Sequence, residues 1–249
     1  MFKKYWKFFV IFWSVLLVGI IGVFVFFWLI SAGKLGFMPT FEELENPNNR
    51  FASEVYFADG PIMNRYFEKE NRKYIEYREI PQSVIDALIA TEDVRFYDHS
   101  GIDVRGLFRV AKGLLTANTS AGGGSTISQQ LAKMLFPRES DLNVFELAIR
   151  KFREWVIAVR LEKSYTKEEI LTMYLNKYDF LNLAVGISSA ADIYFQVPLD
   201  SLKVEQAAML VGMAKNSSYY NPVRRPELTL NRRNVVLSQM YKYDKITRE

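Results

Sequence analysis

The sequence predicts a mainly α-helical domain with a small β element, preceded by one N-terminal transmembrane helix. Three patterns support this prediction: an uncharged apolar run over residues 8–30, a weak alternation of apolar and polar residues over 51–80, and helical periodicity from residue 82 onward. The chain has 249 residues, of which 49% are hydrophobic, so it is long enough to bury a substantial core.

The N-terminal apolar run, FFVIFWSVLLVGIIGVFVFFWLI, is long enough to cross a bilayer. As a helix it spans roughly 34 Å, against about 30 Å for the hydrocarbon core. A signal peptide has a shorter apolar stretch, and a buried core helix is rarely apolar on every face. Because Lys3, Lys4 and Lys7 precede the run, the positive-inside rule predicts a cytoplasmic tail at residues 1–7 and places the rest of the chain on the outer side of the cytoplasmic membrane.

Composition excludes several classes of protein. The net charge is +4, and the three lysines of the N-terminal tail supply most of it, so the remainder of the chain is nearly neutral. A nucleic-acid partner is therefore not predicted. The chain has no cysteine and a single histidine, His99, which excludes disulfides, thiolate metal sites and any site with several histidine ligands from one chain.

The region after the apolar run changes character twice. Residues 31–50 are rich in proline and asparagine and are predicted to be a linker, so the expected domain covers residues 51–249. Within that domain, the alternating pattern of residues 51–80 and the turn sequence Asp59-Gly60-Pro61 predict a small β-hairpin.

From residue 82 onward the apolar residues recur at helical spacing and predict seven helices. Ser83 is the expected N-cap of the first, and Thr166 forms a capping box with Glu169 at the start of the fifth. The expected helices cover residues 83–91, 103–117, 126–136, 143–163, 166–176, 202–214 and 227–241.

The segment from Glu92 to Gly101, EDVRFYDHSG, directly follows the first predicted helix. It combines acidic, basic and aromatic residues with His99, and loops are where a scaffold exposes reactive groups. The pattern indicates a functional segment. A solvated charged turn explains the same residues equally well, and both interpretations stay open at this point.

The glycine-rich residues 121–124 precede a predicted helix start. Free N–H groups and the positive end of the helix dipole favour an anion there, and Lys133 adds a positive charge. No Gly-Lys-Ser/Thr follows, so this is not a nucleotide-binding P-loop. A merely flexible loop is the alternative interpretation.

The helix predicted at 143–163 is apolar on two sides and is expected to be buried on both. Arg150 and Glu154 lie one turn apart within it, so they are expected in a partly desolvated wall. The alternative is an ordinary ion pair between residues four apart. Two carboxylates, several cations and helix-start amides suit chemistry at a sugar carbon, in which one carboxylate takes a proton and the cations stabilise a departing phosphate.

Six ordered sequence blocks lie between residues 78 and 243: EDVRFYDHSGID (92–103), GGSTISQQLAKMLF (123–136), RKFRE (150–154), KEEILTMYLNKYDF (167–180), AAMLVGMAKNSSYYNP (207–222) and RRNVVLSQM (232–240). In order and spacing they resemble glycosyltransferase family 51, the peptidoglycan glycosyltransferases. This family includes monofunctional enzymes and the glycosyltransferase module of class A penicillin-binding proteins. The resemblance implies a lysozyme-like α fold lying against the outer face of the cytoplasmic membrane.

The resemblance also implies a role for individual residues. By motif position, Glu92 corresponds to the general base that takes the proton of the acceptor 4-hydroxyl, and Glu154 corresponds to the second glutamate, at the donor pyrophosphate. Three cations, Lys133, Arg150 and Lys215, correspond to phosphate-binding residues. The residues that correspond to the lining of the substrate cleft are His99, Ser125, Thr126 and Gln130.

The implied partners are lipid II, the growing glycan chain, membrane lipid, moenomycin-type inhibitors and other cell-wall synthesis proteins. No cofactor is required by the resemblance, which allows Mg²⁺ or Mn²⁺ at the pyrophosphate but no metal site built by the protein. The implied reaction inverts the donor sugar and joins lipid II units through β-1,4 bonds, releasing undecaprenyl pyrophosphate.

Three positions depart from the family pattern. Met134 replaces the usual Asn or Asp after Lys133, Gln196 replaces a usual Gly, and the loop 180–185 lacks the common Phe-Gly pattern. Two other functions remain as alternatives. One is a lysozyme-like hydrolase that uses its two carboxylates to cleave glycan. The other is a non-catalytic, membrane-tethered module that docks cell-wall partners.

Overall fold

The structure, a computed structural model, describes residues 2–36, 38–39, 53–56, 62–66, 71–116, 123–135 and 143–247. Within these residues the chain is predominantly helical, which confirms the predicted fold class. The α-helices are α1 (Phe2–Ser31), α2 (Gln82–Glu92), α3 (Val104–Leu115), α4 (Ile127–Leu135), α5 (Val144–Ser164), α6 (Lys167–Lys177), α7 (Ile187–Phe195), α8 (Val204–Met213) and α9 (Pro226–Lys242).

Helix α1 stands apart from the rest of the fold over most of its length. It is long and apolar enough to cross a membrane, and it begins earlier than the predicted 8–30 span. Its C-terminal end is anchored on α5, where the rings of Phe26 and Phe27 pack edge-on against Phe152. Arg160 of α5 also donates hydrogen bonds to the backbone and side-chain oxygens of Ser31 at 2.9 and 2.7 Å. The C-terminal end of the apolar helix is therefore packed against the domain.

The β structure is limited to short segments. Strands β1 (Ser53–Tyr56) and β2 (Ile62–Tyr66) pair antiparallel, which confirms the predicted hairpin, although its expected turn at 59–61 lies outside the described residues. Strands β3 (Asn71–Arg72) and β4 (Ala184–Val185) add a two-residue parallel pair. Most of the expected linker, 31–50, also lies outside the described residues.

One hydrophobic core unites α2 with α4–α9. Helix α2 packs against α8 and α9, whereas α4 packs against α5 and α6. The side chains of Leu88, Leu131, Leu161 and Tyr174 are fully buried between these layers. The end of α2 and the start of α4 are thereby brought side by side, although 34 residues separate Asp93 from Ile127.

One of the two expected helix caps is confirmed. Thr166 and Glu169 form the expected capping box at the start of α6, and Asn143 with Glu146 forms a second capping box, at α5, that was not predicted. The expected cap at Ser83 was wrong. Helix α2 begins at Gln82, with Pro81 in the N-cap position and no side-chain cap.

Helix α7, which the periodicity did not predict, ends on a strained residue. Gln196 adopts left-handed φ and ψ angles of 57° and 36° at the C-terminal cap, and its backbone N–H donates to Asp192. A side chain in this conformation is disfavoured because Cβ crowds the backbone, whereas glycine adopts it freely. Gln196 at this position therefore costs stability relative to glycine.

We expect Gln196→Gly to raise the free energy of unfolding by about 0.5–1 kcal/mol, after the greater freedom of glycine in the unfolded chain is subtracted. The gain corresponds to a rise in Tm of roughly 2–4 °C, which thermal unfolding in detergent can measure. Gln196→Ala is the control: it keeps the strain and should show no gain. An equal gain in both variants would assign the effect to the exposed glutamine side chain instead.

Candidate active site

Glu92, the last residue of α2, is held from two sides. Its side chain is 13% exposed. Its Oε2 atom accepts a hydrogen bond from Nε2 of Gln130 on α4 at 3.0 Å, and its Oε1 atom lies 3.1 Å from an Nη atom of Arg232 on α9. The carboxylate is thus fixed by contacts from two other helices.

The orientation of Gln130 is itself determined by a buried tyrosine. The hydroxyl of Tyr174 on α6 donates to Oε1 of Gln130 at 3.0 Å. Complete burial raises the pKa of Tyr174 well above its ordinary value, and the nearby charge of Glu92 contributes to the shift. The phenol therefore stays protonated and acts as a donor, which turns the amide N–H of Gln130 toward Glu92.

The loop that follows Glu92 is held by a buried pair. Nε2 of His99 lies 3.0 and 3.1 Å from the two carboxylate oxygens of Asp93, and the two side chains are 7% and 4% exposed. Nδ1 of His99 accepts from the N–H of Gly101 at 3.2 Å, so the proton of the neutral ring must sit on Nε2 and point at Asp93. Asp93 also accepts the first N–H of α4, from Ile127, at 3.0 Å.

Two residues near the start of α4 fasten the same loop from the other side. Thr126 and Gln129 both donate to the carbonyl oxygen of Gly101, at 2.8 and 3.1 Å. Gly101 has a φ of 92°, and a Cβ atom there would lie 2.8 Å from the backbone of Ala158 on α5. This position requires glycine. His99 and Thr126, which the resemblance assigns to the cleft lining, therefore have contacts that hold the loop in place.

Glu154 on α5 is also largely buried, with 12% of its side chain exposed. Nζ of Lys151 donates to Glu154 at 2.9 Å and to the hydroxyl of Ser125 at 2.8 Å. The alternative interpretation expected an ion pair between Arg150 and Glu154. The partner of Glu154 is instead Lys151. Ser125 and Gln130, only five residues apart, connect the two glutamates to the start of α4.

The three cations expected at a phosphate lie at different depths. Lys133 and Lys215 are exposed, and Arg150 is half-buried. Among the described residues, no three His, Asp or Glu side chains lie close enough together to bind a metal ion. An ammonium group already pairs with Glu154, so these residues do not fit a metal site built by the protein alone.

Comparison with known proteins identifies the family. The sequence profile of the transglycosylases matches residues 59–241, which is most of the chain. The chain belongs to the transglycosylase family. All nine predicted site residues of this transglycosylase lie within the matched segment, and membership confirms the expectation of an enzyme that transfers glycosyl groups.

The transglycosylase is similar to three curated proteins named penicillin-binding protein 1A. It is 37% identical to that of Escherichia coli (strain K12) over 85% of this chain and 24% of the relative. The protein of Pseudomonas aeruginosa is 37% identical over 82% of this chain and 24% of its own length. That of Aquifex aeolicus is 36% identical over 94% and 32%. The chain thus spans only a quarter to a third of the length of these relatives.

A solved structure aligns more weakly. The crystal structure of penicillin-binding protein 1A from Haemophilus influenzae covers 80% of this transglycosylase and 19% of its own chain, with a TM-score of 0.43 and 22% identity. That likeness is too weak to establish the fold.

Sequence reasoning missed two residues of the transglycosylase site. Lys151 was passed over although it lies between Arg150 and Glu154 in the RKFRE block. Arg232 was passed over although it opens the block RRNVVLSQM. Arg232, Val236 and Met240 are spaced four residues apart, and the latter two are fully buried. A charged residue on the apolar stripe of a helix is the sequence signal by which Arg232 could have been found.

An ion pair connects the loop that follows Glu92 in the transglycosylase to the start of α3. Arg95 donates to both carboxylate oxygens of Asp103, and the N–H of Gly106 donates to one of them at 3.0 Å. Burial of Asp103 opposes its ionisation, but the Arg95 and Gly106 hydrogen bonds outweigh burial and hold the pKa of Asp103 below its ordinary value. The folded protein therefore stabilises the charged form of Asp103.

We expect Asp103→Asn to lower the free energy of unfolding by about 1–2 kcal/mol at pH 7. Because the folded pKa is depressed, the contribution is fully present above the unfolded pKa of about 3.9 and is lost as pH falls through the folded pKa. Denaturant unfolding between pH 7 and pH 3 should show the difference from wild type shrinking toward acid. A difference that does not change with pH would contradict an ionic origin, and the exposed Asp98→Asn change is the control.

Proposed function

We propose that this transglycosylase is a peptidoglycan glycosyltransferase that polymerises lipid II into β-1,4-linked glycan strands. The observation that carries the proposal is the largely buried carboxylate of Glu92, fixed by Gln130 and Arg232. Each carboxylate oxygen has two lone pairs, and these contacts leave capacity on both oxygens to accept a further proton. A fixed base with remaining capacity suits proton removal from a sugar hydroxyl.

In the proposed step, Glu92 takes the proton of the acceptor 4-hydroxyl while the oxygen of that hydroxyl attacks the anomeric carbon of the donor. The new carbon–oxygen bond forms as the bond to the pyrophosphate breaks, and the electron pair departs with undecaprenyl pyrophosphate. A single displacement of this kind inverts the anomeric centre. We assign stabilisation of the leaving diphosphate to Lys133, Arg150 and Lys215, with Glu154 acting at the donor side. The step draws on no organic cofactor.

A membrane-bound substrate is supported by the way the domain meets α1. The C-terminal end of that apolar helix packs directly on α5, which also carries Arg150 and Glu154. On α3, Val104, Phe108 and Leu115 share one face and are exposed. Such a face suits contact with lipid. We infer that residues 1–7 lie in the cytoplasm and that the domain works on the outer side of the membrane.

The proposal is tested by giving the purified chain, in detergent, either lipid II or preformed glycan. We expect a ladder of glycan products from lipid II and no cleavage of the glycan. Cleavage of preformed glycan without polymer would assign a hydrolase. If neither polymer nor cleaved glycan forms, the non-catalytic docking role is the function that remains. A moenomycin-type phosphoglycolipid, which mimics a lipid-linked phosphate donor, should suppress the ladder.

A further inference from the structure

The contact between Arg232 and Glu92 joins residues 140 positions apart in the chain. Arg232 lies on the buried stripe of α9, and its side chain is only 10% exposed. Glu92 is its ion-pair partner, and the remaining described contacts of Arg232 are with a backbone carbonyl and an aromatic ring. A cation so placed costs desolvation energy unless its partner keeps a negative charge.

Arg232 is itself held in a fixed orientation. Its Nε atom donates to the carbonyl oxygen of Gly212 at 3.3 Å, and its guanidinium lies over the ring of Tyr220 at 5.8 Å. The fit is tight, because a Cβ atom on Gly212 would lie 3.1 Å from Cγ of Arg232. A planar guanidinium that is fixed in this way can in turn fix the plane of the carboxylate that it binds.

These contacts distinguish Arg232 from the cations assigned to the diphosphate. Lys133 and Lys215 are exposed at the surface. Arg232 is largely buried, and two of its nitrogens already bind Gly212 and Glu92. Its position suits action on the base and not on the leaving group.

We propose that Arg232 is a positioning residue that keeps Glu92 aimed for proton transfer, an inference that rests on the proposed glycosyltransferase function. Before the reaction, the guanidinium holds the carboxylate of Glu92 in place through the contact of 3.1 Å between Nη of Arg232 and Oε1 of Glu92. When the acceptor hydroxyl gives its proton to Glu92, the resulting neutral acid lies beside a cation. It then releases that proton to water, which restores the carboxylate for the next addition.

This role predicts a loss in turnover and not in binding. A base that is misplaced by about 1 Å slows the chemical step by about 100-fold, while contacts with the bound substrate are unaffected. Arg232→Ala should therefore lower kcat by about 100-fold and change KM by less than about threefold. Added guanidinium ion should restore at least about tenfold of the lost kcat, because it can enter the space that the side chain leaves.

The experiment measures kcat and KM for polymerisation of lipid II by the full chain in detergent, with and without millimolar guanidinium chloride, for wild type and three variants. Arg233→Ala is the matched control, because Arg233 neighbours Arg232 on α9 but donates to Asn234. It should behave as wild type. Arg232→Lys keeps the charge but cannot donate to both Gly212 and Glu92, so it should lose about tenfold in kcat and gain nothing from guanidinium. If thermal unfolding shows that Arg232→Ala is not folded, the kcat of Arg232→Lys tests the positioning role instead.

The outcomes separate this inference from the proposed function. No polymer from wild type would overturn both. Polymer from wild type, with kcat unchanged in the Arg232 variants, would overturn the positioning role alone. A raised KM with unchanged kcat would also overturn it, because that result assigns Arg232 to substrate binding. Loss of kcat in a folded Arg232→Ala variant without rescue by guanidinium would assign Arg232 a purely structural role.

Discussion

Replacing Glu92 with glutamine is expected to lower the rate of glycan polymerisation by about a thousandfold. Glutamine has the size of glutamate, so the side chain can stay between Gln130 and Arg232. Its amide group cannot take a proton from the acceptor hydroxyl, however, and the removal of a general base typically costs between about 10² and 10⁴ in rate. The loss should appear in kcat, because the amide still fills the same space beside the substrate.

The substitution also has a structural cost, which the experiment must separate from the catalytic one. Both partners of Glu92 are donors, and the amide offers only one acceptor oxygen to them. Arg232 would keep its charge without a carboxylate partner, so we expect a loss of about 1–3 kcal/mol in the free energy of unfolding. Thermal unfolding of the variant in detergent should still show a cooperative transition above the assay temperature.

The measurement is the product ladder formed from lipid II at equal enzyme concentrations. Glu227→Gln, an exposed glutamate at the start of α9, is the matched control and should leave the ladder unchanged. A folded Glu92→Gln variant that retains more than about a tenth of the wild-type rate would exclude Glu92 as the general base.

All seven predicted helices lie within two residues of their expected bounds, because their apolar residues recur at helical spacing. Helix α5 was expected at 143–163 and lies at Val144–Ser164, and the capping box of α6 was found at Thr166. Helix α7 escaped because its sequence, ISSAADIYF, is short and buried along its first five residues, so it shows no alternation of faces. The entry of the chain into α7 through Gly186, at φ 85°, depends on tertiary packing.

For the site, too, some features could be predicted from sequence and others could not. Motif resemblance selected Glu92 and Gln130, and the structure shows that they form a hydrogen bond. It did not separate Arg232 from Arg233, although only Arg232 lies on the apolar stripe of α9 with Val236 and Met240. That Glu92 is the partner of Arg232 depends on how α9 packs against α2. It also assigned His99 to the cleft lining, whereas the structure pairs that ring with Asp93. The partner of Arg232 is set by a contact between distant segments, which local sequence does not encode. The partner of His99 lies six residues away in the same loop, and burial of both side chains holds the pair together.

The Asp93–His99 pair supports the second large prediction. We expect Asp93→Ala to lower the free energy of unfolding by about 3–5 kcal/mol. Alanine leaves the buried N–H of His99 and the first N–H of α4, at Ile127, without their acceptor, and each loss carries a desolvation cost. The helix start would also lose a negative charge that its dipole favours.

Because Asp93 directly follows Glu92, the damage should extend to the proposed chemistry. The loop from Asp93 to Gly101 is fixed at one end by this pair and at the other by Thr126 and Gln129. Release of one end should let the backbone at Glu92 move, so the polymerisation rate should fall even under conditions in which the variant remains folded. Asp93→Asn keeps one acceptor oxygen and should lie between wild type and Asp93→Ala in stability.

Thermal unfolding in detergent measures this effect, and a loss of 3–5 kcal/mol corresponds to a fall in Tm of roughly 10 °C or more. Asp98→Ala is the control within the same loop: Asp98 is exposed, and its replacement should change stability by less than about 0.5 kcal/mol. If Asp93→Ala unfolded at the same temperature as Asp98→Ala, the buried pair would not be what holds the loop. The contacts of Thr126 and Gln129 with Gly101 would then have to suffice to keep Glu92 beside Gln130.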